Sequence, residues 1–424
     1  MFHFSKDPKL EQLHLKYFCT ITIVILFIIS FISASPSELF KGMLTIIISR
    51  DALITDYFAL AGYSSAFFNA SITLSIVLFI LLKLNVHFTG LTLAAFFINA
   101  GFAFFGKNPV SIIPIFLGTY LYSCIHKVKM NRYVYTALFG TCLAPIVVEM
   151  IHILPFGLIT NMFAAVCIGI MIGYILPTLA AHTPSMHLGY NLFNVGFAAG
   201  ILGFCIVSVL EATGLESPPV LIWQEGTPFW LIIGLYGFFL IVFTYGFWLC
   251  RWDIIPFIKI LRHPGRAVAD FILMDGIGPT FMNMSIVGSL GLTYILIIGG
   301  DLSGPVVGSI LTIFGFAAFG VHIRNFIPCI LGVFISTFLE AYTPTMPSIQ
   351  LAALFSAGLA PIAGQFGIIA GIIAGILHTC IVTGTSAMYS GLNLYNNGFS
   401  AGFVAIIMVP LLENFKTYSY TRKK

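Results

Sequence analysis

The sequence predicts an all-α polytopic membrane protein with about 12–14 transmembrane or re-entrant helices in two inverted-topology repeats. Three observations predict it. Hydrophobic residues make up 59% of the chain and charged residues only 8%, where soluble domains carry roughly 25% charged residues. A long internal duplication covers most of the sequence. Lysines and arginines gather in short clusters that put equivalent points of the two copies on opposite sides.

Taken in order, Lys6, Lys9 and Lys16 mark a cytoplasmic N-terminus, and residues 17–35 form a retained first span, because "ISASPSELF" makes a weak cleavage site. An amphipathic interfacial helix fits 38–58. Spans follow at 66–84, 88–106, 109–125, 133–150, 160–181, 188–210 and 229–250. The second half gives 281–299, 303–320, 324–341, 350–366, 367–384 and 387–412, an upper estimate of fourteen crossings. Pro145, Pro155, Pro177, Pro184 and Pro361 break straight helices, so 150–185 and 361–390 are candidates for re-entrant half-helices. "HKVKMNR" (126–132), "RWDIIPFIKILRHPGR" (251–266) and the tail "KTYSYTRKK" read as cytoplasmic. The loop 211–228 has three glutamates and no lysine or arginine, as an outside loop does. The organisation is then 1–50, N-terminus with first span and interfacial segment; 51–212, repeat one; 213–264, external loop, linker span and basic loop; 265–414, repeat two; and 415–424, a basic tail. The expected location is the cell membrane, with both termini cytoplasmic.

The duplication is read from "FFNASITLSIVLFILLKLNVHFTG" (67–90) and "FMNMSIVGSLGLTYILIIGGDLSG" (281–304), then "GFAFFGKNPVSIIPIFLG" (101–118) and "GFAAFGVHIRNFIPCILG" (315–332). About a third of positions match without a gap over 67–118. Glycine, proline and asparagine recur, which apolar drift does not produce. Upstream, Asp56 pairs with Asp270. Downstream, "ALFGTCLAP" (137–145) pairs with "ALFSAGLAP" (353–361), setting Glu149 opposite Gln365. An odd number of spans, seven, separates positions 67 and 281, so the second copy is inverted.

The unit closes with twin stretches, "GYNLFNVGFAAG" (189–200) and "GLNLYNNGFSAG" (391–402). Asn191, Asn194, Asn393 and Asn396 recur at i, i+3, and an amide near the bilayer centre needs a partner or a wet cavity. Lining a solute pathway and gluing helices together both fit; pathway lining is the preferred reading, extended to Asn69 and Asn283. Asp56 and Asp270 fit either pathway mouths or helix caps. Glu149, in "APIVVEMIHI", is an intramembrane acid and with His378 a candidate proton relay; Gln365 is its neutral mate. His182, His187, His322, Arg324 and Asp275 lie near predicted breaks and turns. The eight cysteines sit in apolar runs without metal-ligand spacing.

No P-loop, dinucleotide fingerprint, HExxH, GxSxG or CxxC occurs, so no catalytic residue, metal or cofactor is expected. The small net charge of +4 offers nucleic acid nothing. The partners are lipid and a small polar solute, with homo-oligomerisation open. The expected function is a transporter or channel with a midplane site between the repeats. The alternatives are a structural or assembly protein without transport, or an intramembrane hydrolase.

With its doubled "N-L-[FY]-N-x-G-F-x-A-G" signature and paired "FxNxSI" segments, the chain resembles the bacterial integral-membrane family called domain of unknown function 1576 over nearly its whole length. That resemblance implies the doubled unit and no activity. A looser similarity is to urea transporters, which also have two inverted halves. "FNASI" and "MNMSI" lack their asparagine–proline pattern, so only the architecture is implied.

Overall fold

The computed structural model describes residues 8–51 and 53–421. Lys6 and Arg422 to Lys424, on which part of the orientation reading rests, lie outside the described residues. The first half runs α1 (Pro8–Ile32), α2 (Pro36–Ile48), α3 (Tyr57–Lys83), α4 (Gly90–Phe102), α5 (Pro109–Ile125), α6 (Val134–Gly140), α7 (Ala144–Ile153), α8 (Leu158–His187) and α9 (Asn194–Ala212). The second runs α10 (Phe229–Leu249), α11 (Ile255–Ile260), α12 (Phe271–Asp275), α13 (Ile277–Ile297), α14 (Gly304–Phe316), α15 (Ile323–Ser336), α16 (Pro347–Phe355), α17 (Ala360–Phe366), α18 (Ile368–Thr385) and α19 (Asn396–Thr421). A short parallel pair, β1 (Leu53–Thr55) with β2 (Val220–Ile222), ties the two loops that contain it.

Among the described residues, ten segments are long and apolar enough to cross a membrane: α1, α3, α6 with α7, α8, α9, α10, α13, α16 with α17, α18 and α19. Their outward faces carry exposed Ile28, Phe163, Leu240 and Ile241, as lipid contact requires. The 13-residue helices α4 and α14 do not reach across, since 13 residues rise about 20 Å against about 30 Å of hydrocarbon.

Instead α4–α5 and α14–α15 are re-entrant hairpins. Asn131, beyond α5, donates to the carbonyl of Leu84, before α4, at 2.6 Å. In the second copy Asp301, before α14, donates its N–H to the side chain of Gln350, beyond α15, at 3.0 Å. Each hairpin leaves and returns on one face. Each tip is stapled by the asparagine of the "FxNxSI" motif. Asn69 Nδ2 donates to the carbonyls of Ala103 and Lys107 at 2.7 and 2.8 Å; Asn283 does the same to Ala317 and Val321 at 2.7 and 2.8 Å.

The fourteen-crossing estimate therefore counted four hairpin legs as spans. Legs come in pairs, so the parity survives: α3, α6–α7, α8, α9 and α10 separate positions 67 and 281, an odd number, and α3 and α13 run in opposite senses. One face gathers the loops around 84–90, 126–132 and 251–270, linked by the Gln12 side chain to Phe88 and by Gly90 to Asp270. We call it the basic face. The opposite, acidic face gathers 213–228, 298–303 and 337–346, joined by Trp223 to Asp301 at 2.8 Å. The helix α10, which joins the two copies, packs on α13 as α1 packs on α3.

At the centre α4 and α14 pack antiparallel. A Cβ on Gly101 or Gly308 would come within 2.2 or 2.4 Å of the other's carbonyl oxygen, so only glycine allows the approach. The ends of these short helices are satisfied reciprocally. Asp56 caps α3 through Phe58 N–H at 2.8 Å and also accepts from Gly304 N–H, the first residue of α14, at 3.1 Å. Asp270 caps α12 through Leu273 N–H and accepts from Gly90 and Leu91 N–H at the start of α4, at 2.9 and 3.2 Å. Both aspartates are buried helix caps.

Two outcomes test this arrangement. With the exposed cysteines Cys124, Cys167, Cys205 and Cys380 replaced, single cysteines at Asn85 and Lys129 should label from one side of the membrane and one at Glu340 from the other. Opposite-side labelling at Asn85 and Lys129 would turn the hairpin into a crossing. Asp270→Ala, which uncaps two helices, should lower stability in detergent by about 1–3 kcal/mol, about twice the loss of a single cap, read as a fall in thermal midpoint.

Candidate functional site

The twin stretches are irregular segments that feed α9 and α19. Neither helix start is preceded by helical backbone: Phe193 sits at φ −92° and ψ 45°, Leu188, Gly189 and Gly391 have positive φ, and the segments hydrogen-bond to the other repeat. Leu192 N–H donates to the carbonyl of Gly358 at 3.0 Å, and Leu394 N–H to that of Cys142 at 3.2 Å. Both acceptors lie in the 3₁₀ breaks, 141–143 and Ser356–Leu359, within the α6–α7 and α16–α17 spans. The "ALFGTCLAP" and "ALFSAGLAP" repeats thus break a helix to free a carbonyl for the opposite copy.

The first turns of α9 and α19 then cross, with Gly196 against Gly398 and the Tyr395 ring lying on Gly196. The crossing divides two cavities. One of about 550 Å³ opens beside the basic face. The other, on the acidic side, holds about 60 Å³. They are repeat mates. Val268, Phe319, Gly189, Asn191, Leu192 and Asn194 line the larger; their equivalents Ile54, Phe105, Gly391, Asn393, Leu394 and Asn396 line the smaller. A separate cleft of about 430 Å³ beside the N-terminal end of α1 includes none of these residues.

The two-fold is broken at the crossing itself. Asn191 Oδ1 accepts from Phe193 N–H at 2.9 Å and its Nδ2 donates to the Gly398 carbonyl at 3.0 Å. Asn393 makes the first bond, to Tyr395 N–H at 3.0 Å, but its buried Nδ2 finds no partner among the described residues. Asn194 and Asn396 behave alike. Asn194 Oδ1 accepts from Thr183 Oγ1 at 2.7 Å and its Nδ2 donates to Ala180 at 3.0 Å; Asn396 pairs with Thr385 and Val382 at 2.9 and 3.1 Å. These amides hold α9 to α8 and α19 to α18 while one edge of each lines a cavity, so the two readings of them coexist.

The other sequence-selected residues lie elsewhere. Asn69 and Asn283 are hairpin staples. Glu149 is fully buried near the acidic face, gripped by both arms of Arg50, whose Nε lies 3.2 Å from Oε2, and by Ser217 at 2.8 Å. Glu149 and Arg50 thus form a bidentate ion pair, a partnership that the sequence reading of Glu149 did not include. Gln365 is exposed. His378 is buried with both ring nitrogens engaged, by Asn397 at 3.1 Å and Ser400 at 3.0 Å, and it lines neither cavity.

Sequence reasoning missed three cations and an acid. Arg50 is the partner of Glu149. Arg266 stands at the mouth of the larger cavity. Lys107, at the α4–α5 tip, is fully buried, donates to Asn99 Oδ1 at 3.0 Å and has no ion pair among the described residues. It is the one Asp, Glu, Lys or Arg between Lys83 and Lys127, a signal the sequence did offer, and its mate is Val321. Asp51, in the loop before β1, is buried, accepts from Tyr57 Oη at 3.0 Å and lies near Glu149; burial pushes its carboxyl up to about 8.

Because the folded-state pKa of Asp51 exceeds the unfolded value of about 3.9, the folded protein binds the extra proton. Its contribution to stability is present below about pH 4 and is lost as pH rises toward about 8. Asp51→Asn should flatten that decline in thermal midpoint between pH 5 and 8.5. For the ion pair, Glu149→Gln and Arg50→Gln should each destabilise, and the double variant should fall short of their sum by about 0.5–3 kcal/mol. Additive losses would mean that the pair contributes nothing.

The comparisons agree with the doubled architecture. A family model described as a protein of unknown function, DUF1576, matches residues 35–212 and 252–414, one segment in each repeat. No curated protein and no solved structure matches the chain. The chain is a member of the DUF1576 family.

Proposed function

We propose that the protein is a carrier that moves a small polar solute across the cell membrane by alternating access, with both termini and the basic face on the cytoplasmic side. The observation that carries this reading is the pair of mate cavities, about 550 Å³ on one side of the crossing and about 60 Å³ on the other. In an inverted repeat, the two halves can exchange conformations. Doing so moves the large cavity to the opposite face without needing any new fold. The unmatched Asn393 amide lies on the side that is closed. Exchange would give it the Gly196 carbonyl, the mate of the bond that Asn191 now makes to Gly398. Direct contact at Gly196 and Gly398 leaves no open pore, which favours a carrier over a channel.

The test is reciprocity. Thr136 lines the large cavity and Ser386 the small one. In a background without native cysteines, Ser386→Cys should react slowly with an impermeant bulky maleimide from the acidic face. Once labelled, that molecule is held open on the acidic side. A second cysteine at Thr136 should then react about ten-fold more slowly from the basic face. Independent reaction at the two positions would overturn alternating access, and a Ser386→Cys that never reacts would favour the static, structural role.

A further inference from the structure

A third space, of about 240 Å³, shares no lining residue with either cavity at the crossing. It is a groove between α1 and α10, and its floor is the central pair. Ala100 and Val307 line it, each one residue from the contact of Gly101 with Gly308. The groove follows α10 from Trp230 to Phe238 and α1 from Thr22 to Ile32. Those stretches rise about 12 and 15 Å, and one leaflet of hydrocarbon is about 15 Å deep. The helix α10 starts from the acidic loop 213–228, and α1 starts at the basic face, where Gln12 meets Phe88. The groove therefore lies in the acidic-face leaflet.

Its described lining residues carry no charge, and their one hydroxyl, Thr22 Oγ1, donates to the Phe18 carbonyl of its own helix at 2.9 Å. Water finds nothing to bond there. A void left empty would forfeit dispersion contacts along every wall. The room comes from a glycine: a Cβ on Gly234, in the lining, would meet nothing within 4 Å. The groove opens through residues that line it and are themselves exposed, Ile25 at 37%, Trp230 at 47% and Ile32 at 75%. It is thus continuous with the lipid-contact surface that Ile28, Leu240 and Ile241 mark on the same two helices. Trp230 stands in the first turn of α10, at the level where amphipathic rings meet head groups.

We propose that the groove binds an acyl chain of a phospholipid from the acidic-face leaflet, which enters past Trp230 and Ile32 and ends against Phe97 and the α4–α14 pair. Hydrocarbon is the solvent at the opening, and it is as apolar as the leucines and isoleucines of the wall. A chain fills the space without burying any polar group. Seated there, it backs the close approach of Gly101 and Gly308 from outside. The site is independent of the solute reading.

The test places a reporter on the groove floor. With the four tryptophans replaced by phenylalanine and Phe97→Trp added, the protein enters bilayers of phosphatidylcholine brominated near the chain ends or near the head group. Phe97 is fully buried, so lipid that merely surrounds the protein does not touch it. Bromine near the chain ends should quench the reporter strongly, and bromine near the head group much less. Gly234→Leu, which fills the groove, should remove most of the quenching, and Gly234→Ala a smaller part. Gly237→Leu, equally free of clashes on α10 but outside the lining, should leave it unchanged. The unaltered protein, washed exhaustively in detergent, should retain phospholipid that Gly234→Leu loses. Absent quenching would mean a dry void, and equal quenching in all three glycine variants would mean ordinary lipid contact. Stronger quenching from near the head group would reverse the chain. Each of these overturns the proposal. So would quenching that vanishes when copies are cross-linked through Ile32→Cys, because a second copy would then fill the groove. None of these outcomes alters the reciprocity of Ser386 and Thr136, which tests the carrier alone.

Discussion

Everything in this fold depends on finding partners for the ends of helices too short to cross the membrane. A 13-residue helix in hydrocarbon has about four unpaired N–H groups at one end and four carbonyls at the other, each costing several kcal/mol without a partner. The protein answers with two carboxylates, each doing double duty. Asp56 begins its own helix and closes the start of α14; Asp270 begins its own and closes the start of α4. The antiparallel packing of Gly101 on Gly308 follows from those two fixed ends, and the placement of the hairpin tips beneath Asn69 and Asn283 follows in turn.

The same exchange recurs at the twin stretches. Leu192 and Leu394 each donate into the broken helix of the opposite repeat. The break in α6–α7 and the break in α16–α17 are therefore conditions of assembly. They place two helix N-termini face to face, and there the repeats stop being equivalent. Below the crossing lies a wide space with a cation at its mouth, and above it a narrow one. Symmetry built the scaffold, and a local departure from it, at Asn393, Lys107 and Arg266, distinguishes the two sides.

Much of this was legible in the residues, for identifiable reasons. Recurring asparagine, glycine and proline revealed the duplication because those residues answer backbone geometry and not hydropathy. Charge clusters gave the faces, and parity gave the inversion. The hairpins were misread because α5, a mostly apolar helix of 17 residues, has the composition of a span, and hydropathy does not show where a chain turns back. The aspartates were readable as caps, but not as caps for the other repeat, since a contact between Asp56 and Gly304 leaves no mark in local sequence. The role of Glu149 depended on Arg50, 99 residues away. Lys107 was visible as a solitary charge in a long apolar stretch. Tyr395 and Arg266 were not, because an aromatic in a repeat and an arginine in a basic loop are what packing and topology already call for.

The reciprocal caps bear on how such a chain is made. A ribosome delivers the first repeat before the second exists, so α4 enters the bilayer with its leading amides facing lipid, and Asp56 waits without its second donor. Neither repeat is a self-sufficient membrane domain, whatever its hydropathy suggests. The insertion machinery, or a watery cleft beside it, has to shelter the early half until α12 and α14 emerge. The two halves then lock by exchanging ends, and that last step, more than the passage of any single helix into lipid, completes the protein.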